Sequence, residues 1–291
     1  MLDALPLGAP TSVGSLPHVD RARAIGFVLD RTPELPAAPT VPRLDPLEMM
    51  VPQGLWGVPG VEVGRDGSCS VPDPGALDPS APLGDPELAG APFATWRAFL
   101  EAVAGRAEPV KLQLTGPVTL GMVLVDAGVP AAIAFDVTAG GRARARHLLA
   151  LAERSAPGTP LLVVLDEPGL VGGLRPDLPL PGDRGPTCLG ALAALEQGAA
   201  TGVHVCGPAD WRLVLQAGPG VLSVPVGADA TGSAVAIGSF LERGGRIAWG
   251  RCPPTGSSAS SRRASGASCR PSGASWCRTA ATWCCCAARR S

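Results

Sequence analysis

Several residue types are scarce or missing in this sequence. Over 291 residues it has no tyrosine, no asparagine, four isoleucines and a single lysine, Lys111. Because these amino acids have codons rich in A and T, their scarcity indicates a very GC-rich gene.

Long apolar runs are missing as well. No run approaches the length of about 20 residues that a membrane-spanning helix needs. The N-terminus has no basic start followed by a long apolar core, which argues against a secretory signal peptide. We therefore expect a cytoplasmic protein that does not cross a membrane.

The last 41 residues, 251–291, differ from the rest. They contain no Leu, Val, Ile, Met or Phe and no acidic residue, but six of the nine cysteines and seven arginines. Without branched aliphatic side chains this segment cannot build a packed α/β element. Three interpretations remain open: a cysteine-rich metal-binding tail, which lacks paired C-x-x-C spacing; a basic disordered arm; and a frameshift, which we favour.

The frameshift hypothesis rests on the codons open to a GC-rich gene. If one nucleotide were lost near Gly250, the corrected frame would turn residues 251–256 into Ala-Val-Pro-Thr-Asp-Gly, a plausible strand end. The same shift would turn residues 275–291 into an amphipathic helix. We therefore predict a domain over 1–250 followed by a disordered, frameshifted tail over 251–291.

The charge and the cysteine content of residues 1–250, the body of the chain, restrict its partners and its cellular compartment. Removing the seven tail arginines from 24 basic residues leaves 17, against 25 acidic ones, a net charge near −8. This balance argues against nucleic acid and anionic membranes as partners. The three cysteines of the body, Cys69, Cys188 and Cys206, are consistent with a reducing compartment rather than a disulfide framework.

Apolar runs of strand length alternate with helix-like segments along the body. This alternation over about 250 residues predicts an α/β protein, a (β/α)8 TIM barrel that lacks its eighth strand. A Pro- and Gly-rich stretch, 59–92, is predicted to be an insertion with a short hairpin around 63–71. The seven predicted strands are 11–16, 39–44, 111–115, 161–165, 203–206, 221–226 and 246–249, and the predicted helices are 20–31, 93–104, 131–155, 189–199 and 233–243.

The pair His204 and Cys206 is the most informative feature. Residues i and i+2 of a strand point to the same face, so an imidazole and a thiolate would converge on one point, as in a tetrahedral Zn²⁺ site. A lone His-x-Cys is also compatible with core packing.

Polar clusters lie at the C-terminal ends of four of the predicted strands, which is the end where barrel enzymes place their chemistry. Each has a structural alternative, since Gly-Pro is typical of turns and Asp-Glu-Pro after a strand can cap the next helix. The clusters are Gly14-Ser15-Leu16-Pro17-His18, Thr115-Gly116-Pro117-Val118-Thr119, Asp166-Glu167-Pro168 and the His204/Cys206 pair.

In order and spacing, these motifs over residues 8–250 resemble the cobalamin-independent methionine synthase family. The resemblance is to its catalytic C-terminal barrel and to the short archaeal and actinobacterial relatives, which are also similar to uroporphyrinogen decarboxylase barrels. It implies methyl transfer from a folate or corrinoid carrier to a small-molecule thiol such as homocysteine. Zn²⁺ would activate the thiol by removing its proton.

The resemblance also implies roles for individual residues. His204 and Cys206 would be zinc ligands, and Asp166 would be the catalytic residue that holds the amino group of the substrate. Substrate binding would involve Ser15, which would bind the carboxylate end of the substrate, together with Thr115, Asp166 and Glu167.

The sequence departs from the family pattern at the remaining ligands. Pro225 stands where a third ligand, a glutamate, is expected, although Asp229 is a potential substitute. The family's histidine after strand seven is absent from residues 248–250. A non-catalytic barrel with an incomplete metal site therefore remains an alternative. A decarboxylase would need an arginine-lined anionic pocket, which Arg43 and Arg246 alone do not provide.

Overall fold

A computed structural model describes residues 2–139, 141–173, 198–225, 227–229 and 231–250. Its centre is a five-stranded parallel sheet in which the strands lie in chain order. The first two strands of the chain form a separate hairpin, described below, so the strands of this sheet are numbered from three. They are β3 (Val110–Thr115), β4 (Leu161–Asp166), β5 (Ala200–His204), β6 (Val221–Val224) and β7 (Arg246–Trp249).

Five of the seven predicted strands are confirmed, whereas the first two form only isolated parallel bridges. Ser15 pairs with Thr40, and Ala37 pairs with Lys111, which extends the strand order beyond β3. Prolines at positions 36, 39 and 42 explain the interruption, because a proline has no N–H to donate to a ladder. The architecture is mixed α/β and compatible with part of an α/β barrel.

Both faces of the sheet are covered, which explains the near-continuous apolar strands. On β4, Leu161, Val163 and Leu165 belong to the main core cluster, while Leu162 and Val164 belong to a second cluster. The second cluster joins Leu35 and Leu5 to Val221, with Ala248 of β7 packed against it.

Helices lie between the strands. The predicted segment 131–155 is helical over 131–139 and 141–155, and residue 140 lies outside the described residues, as does most of the predicted helix 189–199. The described helices are α1 (Arg21–Arg31), α2 (Met50–Leu55), α3 (Ala94–Ala102), α4 (Pro117–Asp126), α5 (Ala131–Ala139), α6 (Gly141–Ser155), α7 (Trp211–Gln216) and α8 (Ala234–Glu242).

Local chemistry explains where individual helices begin. Asp20 caps α1 by accepting a hydrogen bond from the Arg23 backbone N–H at 2.7 Å. The sequence predicts a strand end or a turn at Thr115-Gly116-Pro117, but Pro117 is the first residue of α4. Proline is favoured there because the first helical N–H has no partner within the helix.

The predicted insertion contains the expected hairpin. Strands β1 (Glu62–Val63) and β2 (Cys69–Ser70) are antiparallel, with Val63 opposite Cys69. Within the described part of the chain, no helix is long and apolar enough to cross a membrane. The predicted tail, 251–291, and Cys188 lie outside the described residues.

Candidate active site at the carboxyl ends of the strands

A row of polar side chains crosses the sheet near the carboxyl ends of its strands. The strand register places Thr115 of β3 beside Asp166 of β4, Asp166 beside His204 of β5, and His204 beside Ser223 of β6. Residues paired in a parallel ladder project from the same face. Three residues predicted to form the site, Thr115, Asp166 and His204, are thus adjacent.

His204 is held in one orientation and kept neutral. Its ring is buried, and Nδ1 lies 2.9 Å from the Ser223 hydroxyl oxygen. Burial, together with the positive charge of Lys111, lowers the pKa of His204 to about 3. A neutral imidazole is the form that ligates a metal or accepts a proton.

Asp166 brings a buried carboxyl group to the row. Its side chain is buried, and no described residue forms a hydrogen bond to Oδ1. Burial raises the pKa of the carboxyl group to about 7, although the charge of Lys111 opposes the rise. Such a carboxyl group lacks the partners that normally compensate for lost hydration.

Lys111, which was not among the predicted site residues, supplies a cation to the same face of the sheet. Its Nζ donates to the carbonyl oxygens of Ser12 at 2.9 Å and Val13 at 3.2 Å. Burial lowers the pKa of this amine below its usual value, and the negative charge of Asp166 opposes the decrease. The alternation of Lys111, Gln113 and Thr115 along β3 is the signal that would have placed them on one face.

Glu167 anchors the start of α4. Its carboxylate accepts hydrogen bonds from the backbone N–H of Val118 at 3.0 Å, from the backbone N–H of Thr119 at 2.8 Å, and from the Thr119 hydroxyl at 2.6 Å. Burial raises its pKa to about 7, while the hydrogen bonds from Thr119 and Val118 oppose the rise. A side chain on Gly116 would clash, because its Cβ would lie 2.1 Å from the Glu167 carboxyl carbon.

The geometry therefore gives Glu167 a structural role. The helix that it caps is α4, which precedes it in the chain, and not the next helix that the capping alternative for the Asp-Glu-Pro motif expected. Both of its oxygens already accept hydrogen bonds, so a substrate would have to compete with the N-terminus of α4. Its predicted contact with substrate stays a prediction.

The two predicted hydroxyl groups also have partners within the protein. Thr115 Oγ1 donates to the Met50 carbonyl at 2.8 Å, and Ser15 Oγ lies 3.0 Å from Thr40 Oγ1. Ser15 is in the first extended segment, beyond β3 and the segment that contains Thr40. The structure therefore brings Thr115 next to Asp166, whereas Ser15 lies farther along the sheet.

Cys206 does not lie on the strand that was predicted to carry it. Strand β5 ends at His204, and Cys206 falls in a bend with its thiol partly buried and not disulfide-bonded. The prediction of a strand over 203–206 was wrong at this end, so the period-two argument does not place the thiol beside the imidazole. The chain turns here because Gly207 and Pro208 follow.

The described residues do not complete a zinc site. A catalytic zinc ion needs three protein ligands, and within the described ranges no group of three or more His, Cys, Asp or Glu side chains is positioned to hold a metal ion. Pro225 follows β6, and the exposed Asp229 carboxylate accepts hydrogen bonds from the Thr231 N–H and hydroxyl. His204 and Cys206 therefore remain two candidate ligands.

No protein-family model, curated protein or solved structure matches this chain.

Proposed function

We propose that this chain is the body of a (β/α)8 barrel of the cobalamin-independent methionine synthase type. Its substrate would be a small thiol that also carries an amino group, and the methyl donor would be a folate or a corrinoid carrier. The observation that supports this proposal best is the buried Asp166 carboxyl group beside His204 at the carboxyl ends of β4 and β5.

Asp166 is suited to bind a cationic group. The side chain is 6% exposed, and its Oδ1 has no hydrogen-bond partner among the described residues. An ammonium group would supply both charge and N–H donors, and charge-assisted hydrogen bonds are about twice as strong as neutral ones. Binding would also return the carboxyl group to its charged form, because a nearby cation favours ionisation.

Zinc would enter through His204 and Cys206, and when bound it would convert the substrate thiol to a thiolate. Since the described residues supply only two of the three protein ligands needed, we assign no step of the reaction to zinc in this chain. The part that these residues can perform is to bind and orient the substrate through Asp166. The hydrogen bond between Ser223 and His204 meanwhile fixes the His204 ring.

A non-catalytic barrel is the second candidate. It is supported by Pro225, which cannot ligate a metal, and by the exposed position of Asp229. In this case the site would bind an amino-thiol compound without methyl transfer.

Homocysteine binding tests the proposed role of Asp166. Calorimetric titration should show that Asp166→Asn weakens binding at least about tenfold, because the variant loses a charge-assisted interaction. The matched control is Asp210→Asn, since Asp210 is the exposed cap of α7 and asparagine caps a helix equally well. Equal weakening by both variants, or by neither, would contradict the proposal.

Zinc content and methyl transfer separate the two candidates. The chain as written should bind zinc weakly and should not methylate homocysteine with either a methylfolate or a methylcorrinoid donor. The resemblance implies that the eighth strand carries a cysteine that is the last zinc ligand. A chain carrying the C-terminal region in the proposed frame should therefore gain this strand and a further thiolate ligand, and with them tight zinc binding. Equal zinc content in the two proteins would refute the frameshift hypothesis or the ligand assignment.

A further inference from the structure

A cavity of about 160 Å³ lies on the side of the sheet that faces the helices. Its walls include Leu114 of β3 and Leu165 of β4, both from the main core cluster. Leu55 of α2 and Leu120 of α4 contribute further apolar surface. Asp166 and His204 project from the opposite face of the sheet, whereas Thr115, at the end of β3, lines this cavity as well as standing beside Asp166.

Arg144 of α6 brings a buried guanidinium group to this cavity. The residue is 5% exposed, its Nη2 donates to the Trp56 carbonyl, and its Cζ lies 4.9 Å from the centre of the Phe93 ring. Among the described residues, none accepts a hydrogen bond from Nε or Nη1. The face of the guanidinium group is thus occupied by an aromatic ring, whereas two of its nitrogens lack acceptors.

Trp96 of α3 adds a third nitrogen of the same kind to the same cavity. It is 1% exposed, and its indole Nε1 has no acceptor within the described part of the chain. The nearby carboxylates are engaged elsewhere. Asp85 accepts from Trp56 Nε1 and from the backbone N–H groups of Ala89 and Gly90, and Asp78, at the exposed rim, accepts from Ser80.

A buried N–H without an acceptor costs roughly 1–3 kcal/mol, and more when the group is charged. Here three such nitrogens belong to two residues, Arg144 and Trp96, that line one largely apolar space, so an occupant that carries acceptors and a negative charge would offer them partners. Burial lowers the pKa of Arg144 to about 10, with Asp85 opposing this effect. The guanidinium group therefore remains charged at neutral pH.

The volume and the apolar lining of the cavity define the size and the apolar character of the occupant. An apolar cavity of about 150 Å³ can accommodate a benzene molecule, so this one suits a single ring or a short branched chain. A bare phosphate would leave the leucine walls without contacts. We propose that this cavity is a binding site for a small carboxylate with an apolar body, about the size of benzoate. The inference does not rest on the proposed methyltransferase function.

Calorimetric titration of the full chain with benzoate tests the proposal, with benzyl alcohol as a neutral ligand of similar shape. Benzoate should bind at millimolar or lower concentration and more tightly than the alcohol, and Arg144→Met should weaken benzoate binding at least about tenfold. Arg146→Gln is the matched control, because Arg146 is exposed on the same helix and should leave benzoate binding unchanged.

A second variant keeps the test decisive if Arg144→Met does not fold. Trp96→Phe removes one N–H while retaining most of the ring volume, and it should weaken benzoate binding several-fold with little effect on the alcohol. If benzoate does not bind the unmodified protein at millimolar concentration, or if it binds these variants as tightly as the unmodified chain, the cavity is no carboxylate site.

Discussion

Replacing Asp166 by asparagine removes a carboxyl group that titrates inside the folded protein. In the folded chain burial raises the pKa of this group from 3.8 to about 7. Between these two values the unfolded chain has lost the proton while the folded chain retains it. Stability contributed by the protonated group is therefore lost progressively as the pH rises from about 4 to 7.

The size of this effect follows from the pKa difference. At about 1.4 kcal/mol for each pH unit, the rise from 3.8 to about 7 corresponds to roughly 4 kcal/mol as an upper limit. Asparagine does not titrate, so the stability of the variant relative to the unmodified chain should increase by about 2–4 kcal/mol between about pH 4.5 and 8. The variant also removes the negative partner of Lys111, which alters its stability by an additional amount. The pKa of Asp166 is therefore tested by how the stability difference between the two proteins changes with pH, not by its value at one pH.

The stability of the variant has to be compared with that of the unmodified chain, because His204 changes the stability with pH in the opposite direction. Its pKa is lowered from 6.5 to about 3, so the unfolded chain takes up a proton below about pH 6.5 while the folded chain does not. Stability due to neutral His204 is thus lost as the pH falls, which offsets the contribution of Asp166 over much of the same range. The His204 contribution cancels when variant and unmodified chain are compared.

Urea unfolding followed by tryptophan fluorescence across this pH range measures the effect. Glu101→Gln, at an exposed position on α3, is the control, and it should change the unfolding free energy by no more than about 0.5 kcal/mol at either pH. A stability difference for Asp166→Asn that stays flat, or that decreases towards high pH, would refute the assignment of a raised pKa to Asp166.

Two further predictions use the same unfolding assay. Gly121→Ala in α4 should destabilise the protein by about 1–3 kcal/mol, because the new Cβ would lie 2.4 Å from the Phe135 ring, whereas Gly26→Ala in α1 meets nothing within 4 Å and should stabilise it by up to about 1 kcal/mol. Similar effects of the two alanines would contradict the packing described for α4. Glu167→Gln should cost about 1–3 kcal/mol at about pH 8, because its amide group would face the N–H donors of α4. A neutral result would show that Glu167 does not anchor that helix.

The sequence predicted the central strands well because buried parallel strands are apolar along their whole length. It failed for the first two strands because Pro39 and Pro42 remove ladder donors from the second while leaving its apolar character unchanged, and the first pairs with that segment. Helix α4 was missed since its first residues, Gly116 and Pro117, are also typical of turns. Apolar patterning thus identifies strands better than it identifies their ends.

The candidate site was predictable where it depended on the strand ends. Thr115, Asp166 and His204 were named from their positions after predicted strands, and the ladder register brings them together. Cys206 was placed on the same strand as His204 by extending the alternation too far, past the point where the chain bends. The contacts of Glu167 were not predictable, because they connect residues about 50 positions apart in sequence.

The buried position of Lys111 has a consequence for how this protein can be labelled. It is the only lysine in the chain, its side chain is 5% exposed, and its amine is bound to backbone carbonyls of the N-terminal segment. Amine-reactive dyes and cross-linkers should therefore modify the folded chain at its N-terminal amine alone. A second label can attach only when the N-terminal segment separates from β3. The rate at which doubly labelled protein appears therefore measures how often that segment opens.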